Sequence, residues 1–190
     1  MKPWHWFLGL VGIGALVTRK SSAQRDLGML VLEEGRKHVG TRESGGHNRG
    51  PVIDSWNTDN GTAVGSNYCA NAIAAWVRAA LGALQPRWLT VSPTARVWMS
   101  DAQRAGTWVS AARARQDPSL VRPGMFAVWD RSQQGKPETA WWGHIGLVNG
   151  AIVSGSWPSL EANSGPTGEE TLVWSRTLSD PKLYGFGSFS

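Results

Sequence analysis

Nucleophilic catalysis requires a polarisable nucleophile, a base within reach of it, and a group that holds the base in place. Cys69 is the sole thiol among the 190 residues. An intramolecular disulfide and a multi-cysteine zinc site are therefore excluded. A lone cysteine is more often a small buried hydrophobe than a nucleophile, so its surroundings decide. Asn67-Tyr68-Cys69 stands where a turn-rich stretch gives way to a helical pattern, with Ile73, Trp76, Val77, Ala80, Leu81 and Leu84 recurring at helical spacing. That places the thiol at a helix N-terminus, where unpaired backbone N–H groups and the macrodipole favour a thiolate. The same N–H groups suit the oxyanion formed when a thiolate attacks an amide carbonyl.

Of the four histidines, His5 lies in an apolar leader, His38 at a charged helix end and His47 in a Gly-rich loop. His144 alone opens a strand-like run, Gly143-His144-Ile145-Gly146-Leu147-Val148, in which a sheet would hold it rigidly. An acceptor must then fix the imidazole. Glu161 and Asn163 flank Ala162, and residues i and i+2 of a strand share a face, so both are candidates for that role.

The elements that would carry these groups divide the chain in two. Residues 24–40 read as a helix with Gly40 as its stop, and Thr41 to Pro51 as a loop. Asp54 to Gly65 reads as turn-rich. The helix from Cys69 follows, and then one with Ser92 as N-cap and Pro93 at its first position, ending near Gly106. After Pro123-Gly124 the pattern changes to short strands: Met125 to Trp129, Ile145 to Val148, Ala151 to Ser154, Thr171 to Trp174 and Leu183 to Phe189. Helices first and strands afterwards predict an α+β domain, its N-terminal helices packed on an antiparallel sheet.

Several pieces, in order, resemble the CHAP domains (cysteine, histidine-dependent amidohydrolases/peptidases) of the papain-like clan. They are Gly40-Thr41-Arg42-Glu43 with Asn48-Arg49-Gly50-Pro51, Tyr68-Cys69-Ala70 opening an Ala-rich helix, Arg122-Pro123-Gly124, Gly143 to Val148, Glu161-Ala162-Asn163-Ser164, and Gly185-Phe186. The resemblance covers residues 27–187. It implies a papain-like CHAP fold with Cys69 as nucleophile and His144 as general base and acid. Glu161 and Asn163 match the pair that orients the histidine, and the oxyanion donors include Cys69 N–H with Asn67 as a side-chain candidate. Met125 stands where the family often has Asp, and Tyr68 where related phage proteins often have Trp. The loop from Arg131 to Trp142 is long and particular to this chain.

Outside the motifs, two acidic segments invite a bland reading. Glu43 is either a landmark near the groove or a cap or salt-bridge partner. The Asp54-x-x-Asn57-x-Asp59-Asn60-Gly61 run does not match EF-hand spacing and favours turn chemistry over calcium. Of the twelve tryptophans, Trp4 and Trp6 suit a membrane interface and Trp76 and Trp129 a core. Tyr68, Trp141, Trp142 and Trp157 are candidates for a substrate-binding groove.

Charge and composition set the remaining bounds. Hydrophobic residues make up 41% of the chain and charged residues 17%, which fits a folded domain at 24–190. The formal charge is +5, but Lys2, Arg19 and Lys20 supply three of those charges, and residues 1–23 hold no acid. The remainder is mildly basic without an aromatic-interleaved Lys/Arg stripe, which argues against nucleic-acid binding. Residues 1–23 read as a signal peptide or signal anchor. The apolar stretch 4–17 would span roughly 21 Å as a helix, short of the ~30 Å hydrocarbon core. It suits export to the cell envelope or periplasm, or membrane association, although Arg19 and Lys20 follow it.

The expectation is a monomeric peptidoglycan hydrolase of phage or bacterial origin, an N-acetylmuramoyl-L-alanine amidase or endopeptidase, needing no metal or organic cofactor. The alternatives are a toxin-like cysteine amidase or peptidase on a non-wall substrate, and a non-catalytic wall-binding or virion structural module.

Overall fold

A computed structural model describes residues 26–190; the leader read at 1–23 lies outside the described residues. The first helix, α1 (Leu27–Arg36), starts where the Asp26 carboxylate accepts from Gly28 N–H at 3.0 Å. It ends four residues before Gly40, earlier than the pattern predicts, because the Gly40 N–H leaves the helix to bond Thr171 O at 2.8 Å. Gly35 is required on its inner face. A Cβ there would meet the Trp76 ring at 2.7 Å and Leu160 at 2.9 Å.

Residues 51–59, read as loop and turn, form a second helix, α2 (Pro51–Asp59). Its Asp and Asn residues suggested turns. Pro51 at the first position and the Ile53/Trp56 spacing were the helical signals, and both apolar residues are buried. The helix α3 (Cys69–Leu81) begins at the predicted residue and buries Ile73, Trp76, Val77 and Leu81. Truncating a fully buried tryptophan such as Trp76 to alanine costs about 3–5 kcal/mol. The next helix, α4 (Ala95–Ala105), starts two residues later than Ser92-Pro93 suggests, since Ser92 Oγ caps the preceding turn by accepting from Thr94 N–H at 3.1 Å. Gly106, in the left-handed region at φ 72°, closes it.

A short strand β1 (Trp108–Ser110) and helix α5 (Ala111–Gln116) follow, and neither stood out in the sequence. The remaining strands are β2 (Phe126–Asp130), β3 (Gly143–Val148), β4 (Ser156–Ser164), β5 (Glu170–Thr177) and β6 (Leu183–Gly187). The expected strand at Ala151 to Ser154 is instead a turn. Ser154 and Gly155 both take positive φ, and Val153 bridges Ser156 to launch β4.

The α+β expectation holds at the level of a six-stranded antiparallel sheet with order β1-β6-β2-β3-β4-β5 and several helices. Strand alternation gives the sheet two apolar faces. Phe126, Val128, Ile145, Leu147, Leu160 and Ala162 pack with the large helical core. Ala127, Trp129, Val148, Trp157 and Phe186 form a second cluster with Ala111 and Ala114 of α5. Among the described residues no helix is long and apolar enough to cross a membrane.

Candidate active site

The sole thiol sits at the first residue of α3, after a loop tied down by asparagine side chains. Asn71 Nδ2 donates to Asn57 Oδ1 at 2.7 Å and to the Asn67 carbonyl at 3.1 Å, while Asn57 Nδ2 donates to Ser66 O at 3.1 Å. Asn60 Nδ2 bonds the Asn71 carbonyl at 3.0 Å. Two turns of loop thus lock onto two helices, which fixes the direction from which the chain reaches Cys69. Tyr68, the N-cap residue, makes no side-chain cap. The first N–H groups of α3 are left available, as the thiolate argument requires.

His144, the second residue of β3, pairs with Trp129 of β2 and is buried. Its Nε2 lies 2.7 Å from Glu161 Oε2. With Nε2 committed to the carboxylate, Nδ1 is left for the sulfur, and the imidazole interacts with the Cys69 thiol. Burial pushes the thiol's pKa up. The contact and charge of His144, together with the backbone N–H groups of Ala70 and Ile145, outweigh it, so the pKa falls below its ordinary value. Burial likewise disfavours the charged imidazole, and the contacts with Cys69 and Glu161 overcome that and raise its pKa. Both shifts favour a thiolate–imidazolium pair.

Glu161 carries the most heavily bonded carboxylate of the site, with no exposed surface. Burial alone would raise its pKa, but Arg176 and His144 hold it well below the usual carboxylate range. Arg176 Nε donates to Oε1 at 2.7 Å and Nη2 to Oε2 at 2.6 Å. Ser164 Oγ adds a third donor to Oε2 at 2.9 Å.

The structure separates the two candidates for orienting the histidine. Glu161 does so directly. Asn163 does not, because β4 breaks register between Glu161 and Ser164 and Asn163 adopts φ 55°, which defeats simple i, i+2 alternation. Its amide lies 3.0 Å from Asn48 Oδ1. Turned over, the amide donates to Gly168 O at 2.9 Å and accepts from Tyr68 N–H at 3.1 Å. Asn163 therefore buttresses the start of α3 and lines the cavity beside the thiol.

That cavity has a volume of about 750 Å³ and is lined by Cys69, His144, Asn67, Asn163, Trp141 and Trp142, among others. Asn67 Oδ1 accepts from Asn48 Nδ2 at 3.4 Å, leaving the Asn67 amide hydrogens available to an oxyanion. Trp141 is 61% exposed and meets Trp142 edge-on at 6.4 Å, so these two fit a groove wall. The other two aromatic candidates do not. Tyr68 is fully buried beside Trp56, because its position at the start of α3 turns the ring into the helical core. Trp157 is buried in the second apolar cluster, stacked on Trp129 at 6.3 Å. Glu43 spends one oxygen on Asn48 N–H at 2.7 Å, with His47 at 3.5 Å, so it braces the 43–48 loop. Asp54 is taken by Arg49 at 3.1 Å.

Arg176 and Ser164 escaped the sequence reading. A signal existed for Arg176: Leu172, Trp174 and Arg176 alternate along β5 on its less exposed face, and a cation on such a face calls for a buried counter-charge. No family model, curated protein or solved structure matches this chain.

Proposed function

We propose that this chain is a cysteine amidohydrolase or peptidase with a papain-like CHAP fold, and that it cleaves an amide bond of bacterial peptidoglycan. One observation carries the catalytic reading. The His144 ring lines one open cavity with the sole thiol and is anchored 2.7 Å from a buried Glu161 carboxylate. A buried structural cysteine has no need of such a partner.

In this reading the Cys69 thiolate attacks the amide carbonyl carbon, and the carbonyl π electrons move onto oxygen. That oxyanion accepts hydrogen bonds from Cys69 N–H and the Asn67 side-chain amide. As the C–N bond breaks, the proton on His144 Nδ1 passes to the departing amine, leaving a thioester on Cys69. The neutral imidazole then takes a proton from water. The hydroxide attacks the thioester, and cleavage of the C–S bond restores thiolate and imidazolium while releasing the acid. Glu161 keeps the imidazolium charge-balanced throughout.

The wall substrate is supported by the ordered motifs shared with CHAP domains and by the export-type pattern of residues 1–23. A gel cast with cell-wall material tests the proposal. The wild type is expected to clear it, and Cys69→Ala to lose clearing; equal clearing by both sinks the mechanism. Mass spectrometry of digested, purified peptidoglycan then identifies the bond from the new amine terminus. New ends on peptides but none on peptidoglycan would move the substrate outside the wall.

A further inference from the structure

Glu161 is an unusual residue to find without solvent, and the structure shows what accompanies it. On β4 it is faced by His144 from β3, Arg176 from β5 and Ser164 from its own strand end. Arg176 grips both carboxylate oxygens in a paired geometry, which a guanidinium provides and an ammonium cannot. The guanidinium is itself held from the other side: its carbon lies 4.8 Å from the centre of the Trp129 ring. Trp129 pairs with His144 across β2 and β3, and its ring lies 5.7 Å from the imidazole. The other charge acting on Arg176 is Asp180, just beyond β5.

We propose that Arg176 is a positioning residue for the catalytic set: it holds Glu161 as a carboxylate and aims Oε2 at His144 Nε2, so that Nδ1 keeps its proton and the thiolate on Cys69 persists. This inference rests on the reading of Cys69 as the nucleophile.

The charges alternate along one line: thiolate, imidazolium, carboxylate, guanidinium. Two effects of removing the last one oppose each other. The loss of a positive charge near His144 would by itself favour the imidazolium. Against this, the buried Glu161 carboxylate would lose two of its four hydrogen bonds and its only full-time counter-charge. A carboxylate so stripped and without solvent takes up a proton, and the nearest one is on His144 Nε2 at 2.7 Å. The second effect prevails because Glu161 has no exposed surface through which water could compensate. Proton transfer to Glu161 leaves a neutral imidazole, and the thiol then reverts toward its ordinary ionisation.

The test is the pH dependence of Cys69 alkylation by iodoacetamide, a neutral probe, in the wild type, Arg176→Met and Arg176→Lys, with circular dichroism to establish folding. The wild type is expected to alkylate well below the pH at which a free thiol ionises. Arg176→Met should move the profile up by about one pH unit or more, a roughly tenfold slower reaction at pH values below both midpoints. Arg176→Lys, which retains charge without paired donation, should fall between the two. A folded Arg176→Met with a wild-type profile overturns the proposal and leaves the nucleophile reading intact. A wild type that alkylates like a free thiol overturns the nucleophile reading itself. If Arg176→Met does not fold, Arg176→Lys decides: an upward shift supports the proposal, and a wild-type profile overturns it. If neither folds, the ion pair is a folding element and the proposal fails.

Discussion

The β3 backbone at Gly146 passes so close to Glu161 that a Cβ on the glycine would stand 2.5 Å from Glu161 Cγ, with Ser159 Oγ at 2.9 Å and the Leu160 carbonyl at 3.1 Å. The bare backbone at this point is what lets the carboxylate lie flat across the strand and reach His144 two residues earlier. Gly146→Ala should therefore push Glu161 off its 2.7 Å contact. Overpacking of this kind destabilises by about 1–3 kcal/mol, which a folded domain tolerates. The expected result is a folded protein with kcat reduced by roughly ten- to a hundredfold, a loss in the range of general acid–base contributions. Thermal unfolding and steady-state kinetics on one sample would check both halves, and an unchanged kcat would show that Glu161 has room to move without consequence.

Glu161 and Asn163 should respond very differently to mutation. Glu161→Gln keeps the shape but removes the charge that balances the imidazolium, and it leaves Arg176 facing a neutral amide. A kcat loss on the order of 10²–10⁴ is expected, in line with the loss of an orienting carboxylate in other triads. Asn163→Ala removes only a brace on Asn48 and Tyr68 N–H, since the residue does not contact His144. Its loss should be about tenfold or less, and partly visible as lowered thermal stability. Comparable losses for the two variants would restore Asn163 as an orienting group.

How much of this was legible beforehand differs sharply between the parts of the site. Cys69 at a helix start and His144 at a strand start followed from local patterns, because each depends on a few neighbouring residues; β4, which carries Glu161, was not among the strands read from the sequence. The start of α3 at Cys69 was found to the residue, for apolar spacing and alanines agree there. What failed depends on the third dimension. The twist of Asn163 away from His144 comes from a break in register between β4 and β5, which no spacing rule contains. Tyr68 and Trp157 looked like groove residues from sequence proximity to Cys69 and Glu161, but the inner faces of α3 and the sheet claim them. Helix α2 was masked by Asp54, Asn57 and Asp59; the Asn57 side chain serves the asparagine network and that of Asp54 the ion pair with Arg49, not a turn.

The two opposite pKa shifts set the expected pH profile. Unperturbed, an imidazole near 6.5 and a thiol near 9.0 would rarely be charged together. Here His144 is raised by its contacts with Cys69 and Glu161, and Cys69 is lowered by His144 and the backbone N–H groups. The active pair needs Cys69 deprotonated and His144 protonated. Activity should thus climb as pH rises through the lowered thiol value and decline as it rises through the raised imidazole value. A bell-shaped kcat/KM profile follows, its acid limb below 9.0 and its basic limb above 6.5. Glu161→Gln should pull the basic limb to lower pH. A wild-type profile that only increases toward pH 9 would mean the pair does not form.

Trp141 provides the clearest separation of binding from chemistry. It is 61% exposed at the end of the loop between β2 and β3, lines the cavity that contains Cys69, and is braced edge-on by Trp142. An exposed indole of this kind contributes little to folding, yet it offers a broad apolar face to a sugar ring or an aliphatic peptide side chain. Trp142, by contrast, is tied to the scaffold, since its carbonyl accepts from Arg96 Nε at 3.1 Å. Trp141→Ala should leave the unfolding midpoint almost unchanged and raise KM by about three- to thirtyfold, the equivalent of roughly 0.6–2 kcal/mol of lost contact. Because the indole takes no part in the proton transfers, kcat should fall much less than for Gly146→Ala. Equal losses in kcat and kcat/KM would instead place Trp141 in contact with the transition state, and no change in either would remove the exposed wall from the substrate path.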